Sequence, residues 1–144
     1  MRRRLMRQAQ AGFTLIEVMV VVVILGILAS FVVPRFMDKP DQAKIVKAAN
    51  DVRAIESALA MFRLDNHTYP STSDGLQALL NAPSDAPAWK EGGYLDKLPK
   101  DPWGNDYQYL NPGVHGTIDV FSFGADGQQG GEGVAADVGN WSVD

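Results

Sequence analysis

A chain of 144 residues with 46% apolar side chains is long enough for one modest core. With no cysteine it has neither a disulfide framework nor a thiolate metal site. The net charge of −4 is unevenly spread: Arg2, Arg3, Arg4 and Arg7 are four of the 13 Lys and Arg, and no Asp or Glu precedes Glu17. Without that basic leader, 9 Lys and Arg face 17 Asp and Glu, a net −8 that argues against nucleic acid as a partner, since phosphate binding needs clustered cations.

Residues 1–12 are a basic leader that turns small and polar before Gly12. Residues 13–33 follow, 21 positions whose only polar side chains are Thr14, Glu17 and Ser30. At 1.5 Å per residue this is roughly 31 Å of helix, the thickness of a hydrocarbon core, and the arginines before it hold the N-terminus on the cytoplasmic side. A secretory h-region is shorter, about 7–15 residues, and ends at a small-residue cleavage site. Phe31-Val32-Val33-Pro34 stands there instead, which favours a retained membrane helix over a conventional cleaved signal.

Pro34 and Pro40 then predict a kink or local unwinding, with Asp41 placed to cap a renewed helix. Ile45, Ala48, Val52, Ile55, Leu59 and Phe62 recur at spacings of three and four. They make one apolar stripe, with Lys44, Lys47, Asp51, Arg53, Glu56 and Arg63 away from it. Residues 34–64 therefore read as an amphipathic continuation of the stem, ending near Leu64 before the turn sequence at 65–70. Within 65–144, the globular part, residues 73–80 predict a short helix and Pro83 and Pro87 a loop. Residues 94–98 read as a turn or extended segment, and 101–106 as a turn. Residues 107–110 and 117–123 alternate as strands, and a glycine-rich acidic tail follows Gly124. The fold class is α+β, a long N-terminal helix packed on a small antiparallel sheet.

Glu17 is the one carboxylate in the apolar run. A charge there costs about 2.5–3.5 kcal/mol on insertion scales. It either snorkels or stays protonated near the interface, or it finds a partner in the bilayer. The run holds no Lys or Arg to serve. A cut before Phe13 would create an α-amino cation within a turn of Glu17, so an ion pair between subunits is feasible. In the tail, Asp126, Glu132 and Asp137 lie among Gly124, Gly127, Gly130, Gly131, Gly133 and Gly139. Carboxylates plus carbonyls on flexible backbone suit Ca²⁺, which takes six to eight oxygens at about 2.3–2.6 Å. The EF-hand spacing is absent, and such a stretch is more often a solvated loop.

His67 and His115 sit in turn-like polar sequence and read as surface residues. Ser122 and Ser142 lack a nucleophile-elbow context. Trp89, Trp103 and Trp141 read as packing residues, and no phosphate loop or nucleotide fingerprint is present. Nothing points to an enzyme.

Gly12-Phe13-Thr14-Leu15-Ile16-Glu17 after a short basic leader resembles the class III signal of type IV pilins and pseudopilins. The resemblance implies cleavage by a prepilin peptidase between Gly12 and Phe13, N-methylation of Phe13, and recruitment of the subunit to a filament through Glu17. The soluble part narrows it. Tyr69-Pro70, Asp101-Pro102-Trp103-Gly104-Asn105, Tyr107-Gln108-Tyr109, Gly124-Ala125-Asp126-Gly127 and Gly139-Asn140-Trp141 resemble the major pseudopilins of bacterial type II secretion systems, and the likeness covers nearly the whole chain. That family implies a homo-oligomeric helical filament beginning in the inner membrane. The subunit crosses once, with its N-terminus cytoplasmic and its C-terminal domain periplasmic. Minor pseudopilins, an inner-membrane assembly platform and a secretin are the implied partners, and export of folded proteins is the implied role. A type IV pilin of a surface pilus, serving adhesion, motility or DNA uptake, is the alternative. Adhesive pilins often close a C-terminal loop with a disulfide that this chain cannot make. The family also implies a structural Ca²⁺ in the tail, held by Asp126, Asp137 and the carbonyl of Phe123. Gly133-Val134-Ala135-Ala136 departs from the pattern, standing where relatives often carry more acidic residues.

Overall fold

The computed structural model describes residues 12–143, with side chains given outside 31–39, so the basic leader lies outside the described residues except for Gly12. The chain divides into two compact units, Met1–Lys39 and Pro40–Asp144, each described by itself.

Helix α1 spans Leu15–Asn66, 52 residues. It stays helical across Pro34 and Pro40, which corrects the local unwinding expected there. Each proline withdraws one amide from the ladder and leaves the neighbouring bonds in place. Asp41 accordingly lies inside α1 and starts no new helix. The helix ends two residues beyond the expected stop. Asn66 donates from Nδ2 to the Phe62 carbonyl at 3.1 Å. His67, at φ +62°, donates its N–H to the Arg63 carbonyl at 2.8 Å in the left-handed position that commonly closes helices.

Within the second unit, Ala48, Val52, Ile55, Leu59 and Phe62 are buried and Ile45 partly so, as the stripe predicts. They pack with Leu76, Leu79, Tyr107, Tyr109, Ile118, Val120 and Val138 in one core. Each fully buried Val, Leu, Ile or Phe contributes about 1.5–3 kcal/mol of transfer free energy. The polar flank of α1 is not idle. Asp51 accepts from Lys47 at 2.5 Å and from the Tyr107 hydroxyl at 2.8 Å, and Arg53 donates to the Val143 carbonyl. The last two contacts tie the helix to Tyr107 and to Val143.

The short helix is a 3-10 turn over Gly75–Leu79 that buries Leu76, Ala78 and Leu79. Asp74, at its N-cap, makes no side-chain cap and takes the Ser71 hydroxyl instead. Residues 94–98 form no strand; Tyr94 packs its ring 5.4 Å from Phe62. Three antiparallel strands complete the unit in the order β1 (Gln108–Leu110), β2 (Asp119–Ser122) and β3 (Val138–Gly139), with Tyr109 opposite Val120 and Ser122 opposite Val138. β2 starts later than alternation suggested, because the Asp119 carboxylate binds the amides of Val114 and His115 and holds that stretch as a loop. β3 lies in the tail read as loop, and its register comes wholly from β2.

Candidate functional site

Two places hold the residues singled out by sequence. At the start of α1, Gly12 and Phe13 precede the helix, and an added Cβ on Gly12 would meet nothing within 4 Å. Phe13 is 84% exposed. Thr14 donates its backbone N–H to Glu17 Oε2 at 3.4 Å, and Glu17 donates its own N–H to Thr14 Oγ1 at 3.3 Å. This is a reciprocal capping box, with Thr14 as the cap and Glu17 three residues on. Sequence reading missed it, although Thr14-x-x-Glu17 before an apolar run is its signature. A carboxylate in the first turn also faces the positive end of the helix dipole. Glu17 is thus held locally while its second oxygen stays open to another donor.

Every large apolar side chain of this unit from Leu15 to Leu28 is at least half exposed, and Ser30 turns its hydroxyl back to the Ile27 carbonyl at 2.6 Å. Among the described residues no helix is long and apolar enough to cross a membrane; the apolar run of the sequence continues to Val33, beyond Ser30, where the side chains of 31–39 lie outside the description.

The second place is the loop between β2 and β3. Phe123 leads into a 3-10 turn over Gly124–Asp126, which packs on another over Gly133–Ala135. Asp126 is exposed and accepts the Gln128 N–H at 3.0 Å. Asp137 Oδ2 accepts the Gly130 N–H at 3.0 Å, while its Oδ1 is buried with no partner. Gly124 has φ +70°, and a Cβ there would lie 2.7 Å from the Ala136 carbonyl oxygen and 2.9 Å from that of Val134. The carbonyls of Val134 and Ala136 therefore close against Gly124. Glu132 is exposed, and among the described residues no three His, Asp or Glu side chains gather as a metal would need. The orphaned buried oxygen of Asp137 is a hard donor of the kind an oxygen-seeking cation takes.

His115, read as a surface residue, stacks on Trp141 with ring centroids 3.7 Å apart and places Nδ1 3.0 Å from Asp119. Asp119 is buried, which alone would push its carboxyl up. The His115 ring and the amides of Val114 and His115 outweigh that, so its pKa is lowered from the ordinary value. Trp89 donates its indole N–H to the Ala78 carbonyl at 2.8 Å, a packing role as expected.

Against this geometry, a family profile described as "Type II secretion system (T2SS), protein G" matches residues 35–141, and one described as "Prokaryotic N-terminal methylation motif" matches residues 7–33. The type II secretion system core protein G of Vibrio cholerae is 60% identical over 136 residues, 93% of each chain. That of Pseudomonas aeruginosa is 58% identical over 138 residues, 94% of this chain and 97% of its own. The crystal structure of the major pseudopilin from the type 2 secretion system of enterohaemorrhagic Escherichia coli is 46% identical, covers 77% of this chain and 97% of its own, and superposes with a TM-score of 0.68. The long helix and three-stranded sheet described above are that fold, and the chain belongs to the type II secretion system protein G family.

Proposed function

We propose that this chain is the filament-forming subunit of a type II secretion pseudopilus, which helps export folded proteins across the outer membrane. The observation that carries the reading is the continuity of two matches: the methylation motif over 7–33 runs almost directly into the protein G match over 35–141. The chain is membrane-anchored through its N-terminal motif. The finer topology is a single pass of the inner membrane by residues 13–33, with the arginine leader cytoplasmic and the rest periplasmic. Minor pseudopilins, an assembly platform and a secretin would be the partners in growth.

Prepilin peptidase would hydrolyse the Gly12–Phe13 peptide bond, leaving the Gly12 carboxylate on the leader and a new amine on Phe13. The exposed Phe13 and the unobstructed Gly12 suit that access. One methyl on the amine keeps it protonatable. Glu17 would then exchange the Thr14 amide for the methylated ammonium of a neighbouring subunit. That pairing removes the cost of an unpaired carboxylate in lipid, about 2.5–3.5 kcal/mol on insertion scales.

In the C-terminal loop, Phe123 through its carbonyl, Asp126 and Asp137 would hold a Ca²⁺ ion. The unpartnered Asp137 Oδ1 and the carbonyls of Val134 and Ala136 beside Gly124 support this. The ion would supply a cross-link between the two 3-10 turns, the staple a chain without cysteine lacks.

Mass spectrometry of the membrane-extracted protein tests the processing: residues 1–12 should be lost and one methyl added to Phe13, and an intact Met1 terminus would overturn the reading. Glu17→Ala should abolish filaments while the Pro40–Asp144 unit keeps its fold. Chelation should lower the thermal midpoint, and an unchanged midpoint returns Asp126 and Asp137 to an ordinary solvated loop.

A further inference from the structure

Asp101 is 4% exposed, and among the described residues no cation pairs with it. Only neutral donors meet its charge. Oδ1 accepts the amides of Trp103 at 3.0 Å and Asn105 at 2.8 Å, which closes the turn after Lys100. Oδ2 accepts the hydroxyl of Ser122 at 2.6 Å, across from β2. Ser122 is fully buried, and its oxygen in turn accepts the N–H of Gly124 at 3.1 Å. A hydroxyl has one proton. Once that proton points at a carboxylate, which can only accept, a lone pair of Ser122 is left for Gly124.

The Gly124 N–H and the Phe123 carbonyl belong to one planar, trans peptide unit, so they point in opposite directions. Fixing the N–H on buried Ser122 aims the Phe123 carbonyl away from it. The carbonyls of Ala136 and Val134 fill the space beside the Gly124 Cα, which leaves the plane little room to rotate. Asn105, at the end of the Asp101 turn, places Nδ2 3.9 Å from where a Cβ on Gly127 would sit, so turn and loop lie close there too.

We propose that Asp101 is a positioning residue for the loop's Ca²⁺ site, orienting the Phe123 carbonyl through Ser122 and the Gly124 amide. The inference rests on the calcium reading above and adds a buried anion that touches no ion itself. Outer partners that orient a metal's ligands typically cost 10–100-fold in affinity when removed.

The test uses the full chain in detergent, with Ca²⁺ itself as the probe, comparing wild type, Asp101→Asn, Ser122→Ala and the double variant. Calorimetric titration should show Ca²⁺ affinity falling about 10–100-fold in each single variant, and the double variant should lose no more than the worse single. Thermal midpoints with chelator and with Ca²⁺ separate positioning from plain structure. A structural role lowers both midpoints together, whereas positioning narrows the gap between them. Ser122→Ala keeps the two turn bonds of Asp101, so it remains informative where Asp101→Asn folds poorly. Wild-type affinity in Ser122→Ala, or additive losses in the double variant, overturns the proposal alone. Absence of Ca²⁺ binding by the wild type overturns the calcium reading and this one with it.

Discussion

The imidazole of His115 lies nearly flat on Trp141, 3.7 Å between centroids and 14° between planes, while its Nδ1 reaches Asp119 at 3.0 Å. One side chain thus joins the loop before β2 to the segment after β3. For Nδ1 to donate to the carboxylate it must carry the proton, a tautomer set by that bond. The lowered Asp119 pKa makes the pair a stability statement. A folded pKa below the unfolded value of about 3.9 contributes stability above pH 4 or so, and loses it as pH falls through the folded value. Asp119→Asn should cost about 1–3 kcal/mol at neutral pH and flatten the acid limb of a stability profile measured by urea unfolding. An acid limb as steep as wild type would show that other carboxylates control it.

At the alkaline end the sign reverses. Burial pushes the Tyr107 phenol up, with Asp51 adding to it, and burial does the same to Tyr109, which donates to the Pro70 carbonyl at 2.8 Å. Raised phenol values contribute stability below the ordinary pKa of about 10 and lose it as pH rises through the folded value. Phenolate absorbance from these two rings should appear only with unfolding. Tyr107→Phe should remove one late-titrating phenol and cost about 1–2 kcal/mol, because Asp51 then keeps only Lys47.

Two positions on α1 make a paired test of the apolar stripe. Phe62 is 1% exposed and Leu64 is 76% exposed, two residues apart on the same helix. Phe62→Ala should destabilise the chain by about 3–5 kcal/mol, whereas Leu64→Ala should change it by less than about 0.5 kcal/mol. Denaturant midpoints followed by near-ultraviolet circular dichroism measure both.

The cap at the start of α1 predicts a local effect. Thr14→Ala removes the side-chain acceptor of the Glu17 amide, leaving the Thr14 carbonyl, and should weaken the first turn by about 0.5–2 kcal/mol. Hydrogen exchange at Ile16, Glu17 and Val18 should quicken while amides near Ile55 stay protected. Thr14→Ser keeps a hydroxyl and should restore most of the protection.

The loop offers a steric test. Gly124 and Gly127 both have positive φ, +70° and +66°, so alanine strains either by about 1–2 kcal/mol. At Gly124 the new methyl would also lie 2.7 Å from the Ala136 carbonyl, whereas at Gly127 its nearest neighbour is 3.9 Å away. Gly124→Ala should therefore destabilise the chain clearly more than Gly127→Ala in thermal unfolding.

What could be read from the residues in order was whatever depends on local spacing. Three-and-four periodicity marked the buried face of α1 from Ile45 to Phe62, alternation marked the centres of β1 and β2, and Gly12 to Glu17 marked the stretch that the methylation motif matches. Those patterns reflect burial on one face or a short recognition sequence, and neither needs a distant partner to be visible. Tertiary structure decided everything that depends on residues far apart in the chain. Two residues, Val138 and Gly139, become β3 because Phe121 and Ser122 offer an edge. His115 stays exposed, as its polar neighbours suggest, yet it gains partners the sequence does not show, because Asp119 and Trp141 meet it in space. Asp101, legible in sequence only as part of a turn motif, becomes a buried carboxylate partnered by Ser122 of β2. A one-dimensional pattern records how often a side chain faces the core, but it carries no distance between two loops, and hydrogen-bond networks are made of such distances.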